Sequence, residues 1–203
     1  MNAAYDHLET DPHLGPLIEV HGRLSIEPAE DFFERFVVSI LRQQVSMASA
    51  AATRERLFDA VEVTPARILA ADDQLLQDAG LSEAKTRYVN NVAAAFEERG
   101  WSQDLFAGMD DDAVRSELTD VAGVGPWTAN MQLLFSLGRQ DVFPVGDLGV
   151  RKGMETVFDE ELTRSAMIDR AERWRPYRSY ATLYLWRVEE DIAESVAEVV
   201  GED

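Results

Sequence analysis

From Ala29 the apolar positions fall into a helical rhythm, with Phe32, Phe33, Phe36, Val37, Ile40 and Leu41 on one broad face. The chain ahead of it is broken by Asp11-Pro12, Gly15-Pro16, Gly22 and Pro28 and reads as mixed and irregular, although Leu14, Leu17, Ile18, Val20 and Leu24 can still dock. Gln43, Gln44 and Ser46 interrupt the apolar face, and a small-residue helix from Ala48 to Ala60 follows. Pro65 and the Ala-Asp-Asp at 71–73 open two short helices that end near Gly80. Ser82 is placed to cap a long helix to Arg99, which Gly100 stops. Asp110 opens the next helix, and Gly123-Val124-Gly125-Pro126 turns it into another of about fourteen residues. Further helices are predicted near 148–158, 162–173 and 176–199, the last opened by Pro176. No stretch alternates as a strand does, so the fold is predicted to be all-α.

The segment from Leu118 to Gly153 concentrates the chemistry. Leu118 and Val121 anchor a turn (hairpin 118–129) in which Gly123 and Gly125 flank Val124, letting backbone approach a ligand without an obstructing Cβ. Pro126 then begins a helix whose first N–H groups form a natural seat for phosphate. Read alone, such a turn is equally a structural αα-hairpin. Asp147 follows Gly146 and precedes Leu148, Val150, Arg151 and Lys152; a lone aspartate there reads first as an N-cap.

The charge complicates a nucleic-acid reading. The net charge is −19, whereas proteins that bind DNA gain affinity by neutralising phosphates with Lys and Arg. Only Lys85 and Lys152 are lysine; every other basic residue is arginine. Acidic excess with scarce lysine suits a halophilic cytoplasm, where a Debye length of about 3 Å near molar salt screens repulsion between acidic surface and DNA. There is no cysteine, which excludes disulfides, thiolate zinc sites and cysteine-ligated iron–sulfur clusters. No segment resembles a signal peptide and no apolar run spans a bilayer, so the expected setting is cytoplasmic, nucleoid-associated in a prokaryote.

Taken together, LxxVxGVGPWTA, the helix after it, DVFPVGD and the basic turn resemble the helix-hairpin-helix DNA glycosylase superfamily, and most nearly its alkylpurine branch of the 3-methyladenine DNA glycosylase II type. FERFVVSILRQQVSMASAAA, LSEAKTRYVNNVA and RWRPYRSYATLYLWR are similar to other blocks of that family, in the same order. The resemblance implies two helical lobes, residues 30–138 with the hairpin and residues 1–29 plus 139–203, with DNA and an extruded base in a cleft. It leaves no room for the extra N-terminal β domain of some relatives. The implied partner is double-stranded DNA containing a damaged base, bound by a monomer without cofactor, except for K+ or Na+ on the carbonyls of Thr119, Val121 and Gly123.

The same resemblance assigns roles. Asp147 becomes the catalytic carboxylate, stabilising positive charge on the sugar as the base leaves, while remaining open to a capping role as well. Asp120 and Asp141 are rival carboxylates expected in solvent. Trp127 stands where strand-nicking relatives carry a lysine, which implies base excision by water alone. Trp127, Trp186 and Met131 are the implied base pocket, with core packing as the plainer reading of Trp186 and Met131 taken alone. Gln44 matches the side chain that enters the minor groove; it either bonds the orphaned partner base or packs its loop. Backbone contacts fall to the amides of Gly123, Val124 and Gly125, to the Thr128 hydroxyl, and to Arg151 and Lys152 unless these face solvent, with Lys85 and Arg87 weaker candidates. The leading expectation is a monofunctional alkylpurine glycosylase; the others are a glycosylase for deaminated or oxidised bases and a non-enzymatic DNA-docking module.

Overall fold

The computed structural model describes residues 2–188, and all regular structure among them is helical. They divide into two compact units: one runs Pro28–Leu137, the other joins the residues up to Glu27 to those from Gly138 onward.

In the second of these, the N-terminal chain is more ordered than its breakers suggest. It forms α1 (Asn2–Leu8) and α2 (Gly15–His21), so His7 and His21 are helical rather than irregular. Pro16 sits in the first turn of α2, where no amide is needed. Tertiary docking is the reason: Tyr5, Leu8, Leu14 and Ile18 are buried. The Tyr184 hydroxyl donates to Gly22 O at 2.7 Å and accepts from Leu24 N at 3.2 Å.

The Pro28–Leu137 unit begins with α3 (Phe32–Leu41), N-capped by Asp31, whose carboxylate accepts from Glu34 N. Its apolar face builds an aromatic core: Phe32, Phe33 and Phe36 meet Phe96, with Phe32–Phe96 centroids 5.0 Å apart at 68°. Trp101 stacks on Phe36 at 5.9 Å and donates its indole N–H to Glu117 at 3.0 Å. Then come α4 (Met47–Ala60), α5 (Pro65–Ala70), α6 (Asp73–Asp78) and α7 (Glu83–Arg99). Ser82 caps α7 through Lys85 N, and Gly100 ends it at φ 64°, as the sequence predicts. A short α8 (Gln103–Ala107), with no period long enough to mark it in the sequence, precedes α9 (Asp111–Thr119).

After the turn, α10 (Pro126–Met131) is shorter than the predicted fourteen residues, because the chain passes into a π-helical segment, Gln132–Ser136. The Leu137 amide reaches back five residues to Gln132 O at 2.9 Å, and Gly138 at φ 63° follows. In the other unit, α11 (Leu148–Phe158) and α12 (Arg164–Ala171) precede a 3-10 turn and α13 (Arg178–Arg187). Helix α13 starts two residues after Pro176, and its predicted extension to 199, with the acidic group at 189–194, lies outside the described residues.

Candidate functional site

The hairpin sits in the Pro28–Leu137 unit. Gly123 has φ 104°, and a Cβ there would lie 2.3 Å from Tyr88 Cγ, so both conformation and space demand glycine. Gly125 is the N-cap of α10 and Pro126 its first residue. Two side chains from elsewhere in the unit hold the turn. Asn91 of α7 donates to Ala122 O at 2.9 Å. Gln43, in the loop after α3, donates from Nε2 to Gly123 O at 3.0 Å and to Thr128 Oγ1 at 2.9 Å.

These bonds correct part of the expected phosphate set. The Thr128 hydroxyl is 1% exposed and engaged by Gln43, so it does not face a ligand. The Val124 amide donates to Val121 O at 3.0 Å within the turn, and its side chain is buried. Gly123 and Gly125 keep the geometry the motif requires. Lys85 is no phosphate ligand either: its ammonium caps α3 by donating to Leu41 O at 2.5 Å, and burial pushes its pKa down. Gln43 was missed in favour of its neighbour because a glutamine between two helices carries no local signal of a partner 80 residues away.

Gln44 is exposed and has φ 57°, a left-handed conformation uncommon for a residue other than glycine. Trp127, at the second position of α10, is half-buried, and Met131 is 6% exposed. The carbonyls of Thr119, Val121 and Gly123 are neutral oxygen donors of the kind a hard cation takes. Val121 O already accepts from Val124 N and Gly123 O from Gln43, yet each carbonyl has a second lone pair, so neither bond rules out a cation ligand there.

Asp147 belongs to the other unit, at the end of an extended segment stitched to α13. Ser179 is the main stitch: its amide donates to Gln140 O at 3.0 Å, its hydroxyl donates to Arg139 O at 2.6 Å, and the same hydroxyl accepts from Val142 N at 2.8 Å. Asp141, expected in solvent, instead takes a bidentate ion pair from Arg178, at 2.7 and 3.0 Å, with Arg175 adding a contact at 2.8 Å. It is therefore no rival catalyst. Asp120 is exposed at the end of α9, as expected.

At the end of this segment Asp147 caps α11: its Oδ1 accepts from Val150 N at 3.0 Å. The same oxygen accepts from the Trp186 indole N–H at 2.9 Å. Capping and a half-buried carboxylate thus coexist in one residue, with Oδ1 held by two donors. Trp186 is 5% exposed, and its contact with Asp147 is edge-on through nitrogen. Gly153 makes this contact attainable. A Cβ there would fall 2.2 Å from Leu185 O, so α11 and α13 pack at backbone distance only because position 153 lacks one. One turn beyond Asp147, Arg151 is half-buried, and its Nε is buried with no hydrogen-bond partner among the described residues; Lys152 is exposed.

Comparison with known proteins gives the family. Residues 37–177 match the model of the HhH-GPD superfamily base excision DNA repair proteins. DNA-3-methyladenine glycosylase 2 of Escherichia coli is 32% identical over 87% of this chain and 64% of its own length. A crystal structure of a DNA-3-methyladenine glycosidase from Bacillus halodurans superposes with TM-score 0.77 at 31% identity, covering 94% of this chain and 91% of that one. The Schizosaccharomyces pombe 3-methyladenine DNA glycosylase Mag1, in complex with abasic DNA, reaches TM-score 0.84 over 93% of this chain and 97% of that one; at 24% identity the likeness is one of fold. The chain spans 39–64% of the length of several curated bacterial relatives that it matches. It belongs to the HhH-GPD superfamily of base excision DNA repair proteins.

Proposed function

We propose that this protein is a monofunctional DNA glycosylase that hydrolyses the N-glycosidic bond of alkylated purines of the 3-methyladenine type. The observation that carries the reading is Asp147, a carboxylate locked by Val150 N and Trp186 Nε1 in a family of base excision proteins. As the C1′–N bond breaks, its electron pair leaves with the base and positive charge grows on the sugar. Asp147 stabilises that charge and orients the water that adds to C1′, whose proton passes to the carboxylate and on to solvent. An alkylated purine that carries positive charge leaves neutral, which eases the departure.

Trp127 supports hydrolysis without strand cleavage, since an indole cannot form the Schiff base a lysine forms. Trp127, Met131 and the Trp186 ring are our candidates for base recognition, and Trp186 has the second task of orienting Asp147. Gly123 and Gly125 offer backbone to phosphate, with Arg151 and Lys152 contributing charge. Thr119, Val121 and Gly123 would hold K+ or Na+, which when bound supplies positive charge beside the phosphate. The partner is duplex DNA with a damaged base, bound by a monomer, in the cytoplasm of a halophile. The last point rests on the net charge of −19 with two lysines, and equal thermal stability in low and multimolar KCl would remove it.

Duplexes carrying single defined lesions, incubated with the protein and then treated with hot alkali, test the activity. Cleavage is expected at alkylated purines and only after alkali. Release confined to deaminated or oxidised bases would overturn the substrate class. Borohydride trapping of a protein–DNA adduct with strand nicking would overturn the hydrolytic mechanism.

A further inference from the structure

The loop between α3 and α4 is tied down at three points, and its untied residue is the one in a strained conformation. At its start Lys85 of α7 caps the Leu41 carbonyl. At its end Ser46 caps α4 by accepting from Ser49 N at 3.3 Å. Between them Gln43 bridges the hairpin turn and the first turn of α10 through Gly123 O and Thr128 Oγ1. The orientation of the Gln43 amide is fixed by chemistry: Gly123 O can only accept, so Nε2 faces it and both amide hydrogens are used. The next residue, Gln44, is held at φ 57° with its side chain exposed, and Val45 beside it is 42% exposed. Left-handed backbone at a non-glycine residue costs free energy, and it persists where its surroundings hold it in place.

We propose that Gln43 is a positioning residue that couples the hairpin to the presentation of Gln44, so that gripping the phosphate backbone and intruding into the duplex are one event. The inference rests on the glycosylase reading, in which Gln44 fills the space of an extruded nucleotide. The hairpin offers the backbone atoms that meet phosphate, and Gln43 ties the main chain of that turn to the residue preceding the intruding side chain. A hairpin seated on DNA therefore fixes where Gln44 projects. Without the tie, Gln44 relaxes toward ordinary φ and its amide is aimed elsewhere. Asn91, bound to Ala122 O from α7, still holds the turn, so backbone affinity survives when the tie is cut.

The test uses the full chain and three duplexes: one undamaged, one carrying a single alkylated purine for base release, and one holding a tetrahydrofuran abasic analogue with 2-aminopurine beside it as a reporter of unstacking. Gln43→Leu is expected to bind the undamaged duplex within about threefold of wild type while losing at least about tenfold in single-turnover base release and most of the 2-aminopurine enhancement. In Gln43→Leu/Gln44→Asn the enhancement should recover in part relative to Gln43→Leu, because asparagine accepts left-handed backbone more readily and keeps an amide. Should Gln43→Leu not fold by circular dichroism, Gln43→Asn, one methylene too short to reach both acceptors, carries the same comparison. Emission and release equal to wild type would overturn the coupling. So would parallel loss of undamaged-duplex binding and emission, which would make Gln43 a mere hairpin prop, and so would a wild type with no emission change. The readouts separate the two readings: a wild type that releases no alkylated base yet shows the Gln43-dependent emission fails the glycosylase reading alone.

Discussion

The hairpin and the Asp147 shelf each depend on a glycine where no side chain fits, yet they spend that closeness on different things. At Gly123 the space is taken by the Tyr88 ring, and what results is a turn whose polar atoms are backbone groups and side-chain amides. At Gly153 it is taken by the Leu185 carbonyl, and what results is a helix pair tight enough for Trp186 to reach Asp147. Under the proposed function, the first region would hold an anion without formal charge and the second a charge in one orientation. Neutral donors grip a phosphate that keeps its charge throughout the reaction, whereas a fixed carboxylate matters most when charge appears on the sugar.

If that division is right, substitutions in the Asp147 region should change chemistry and leave binding alone. The largest effect is expected from Asp147→Asn. Asparagine caps a helix as well as aspartate does, so the fold and abasic-DNA affinity should be kept while base release falls by about 10²–10³-fold. Single-turnover release within a few-fold of wild type would end the catalytic assignment. Gly153→Ala comes next, because its methyl group must push α11 away from α13; a loss of about 1–3 kcal/mol in stability and a parallel fall in release are expected. Calorimetry with single-turnover kinetics checks this, and unchanged release in a destabilised protein would show that the helix spacing does not serve Asp147.

Trp186→Phe removes one donor to a charged group and keeps most of the ring. A hydrogen bond to a charge contributes about 1.5–3 kcal/mol, so release should slow by roughly tenfold or more with affinity for abasic DNA unchanged. Release within a few-fold of wild type would show that the Trp186 bond does not serve Asp147. The smallest effect concerns salt. Many arginines are already engaged within their own units: Arg23 with Glu9, Arg99 with Glu117, Arg115 with Asp112, Arg170 with Glu160, Arg175 and Arg178 with Asp141. Few cations are then displaced from DNA, and affinity for lesion DNA should change little, or rise, between low and near-molar KCl. A log–log slope of several ions, with folding verified at each salt, would show that a basic patch does the gripping.

Much of this was legible in the chain because it is local. Capping by Ser82, Asp110 and Asp147 needs only residues three or four positions apart, and the Phe32–Leu41 face is a period. Gly123 between Val121 and Pro126 announces its own turn. The helices α1 and α2 were not legible, since they are short, interrupted by breakers, and held by burial of Tyr5, Leu14 and Ile18 rather than by propensity. The π-helical end of the hairpin helix was hidden for a similar reason: an amide choosing an acceptor five residues back leaves no mark in the spacing.

The sequence by itself determined the helical class and the hairpin turn, because each is written in residues within a few positions of one another. The tertiary structure alone decided which polar groups those elements would use. It turned Thr128 inward to Gln43, gave Lys85 to the end of α3, and paired Asp141 with Arg178, each over a sequence separation no local pattern spans. It also decided that Trp186 would bind Asp147, since that bond depends on two helices meeting at Gly153, and the distance between helices is set by packing rather than by either helix alone.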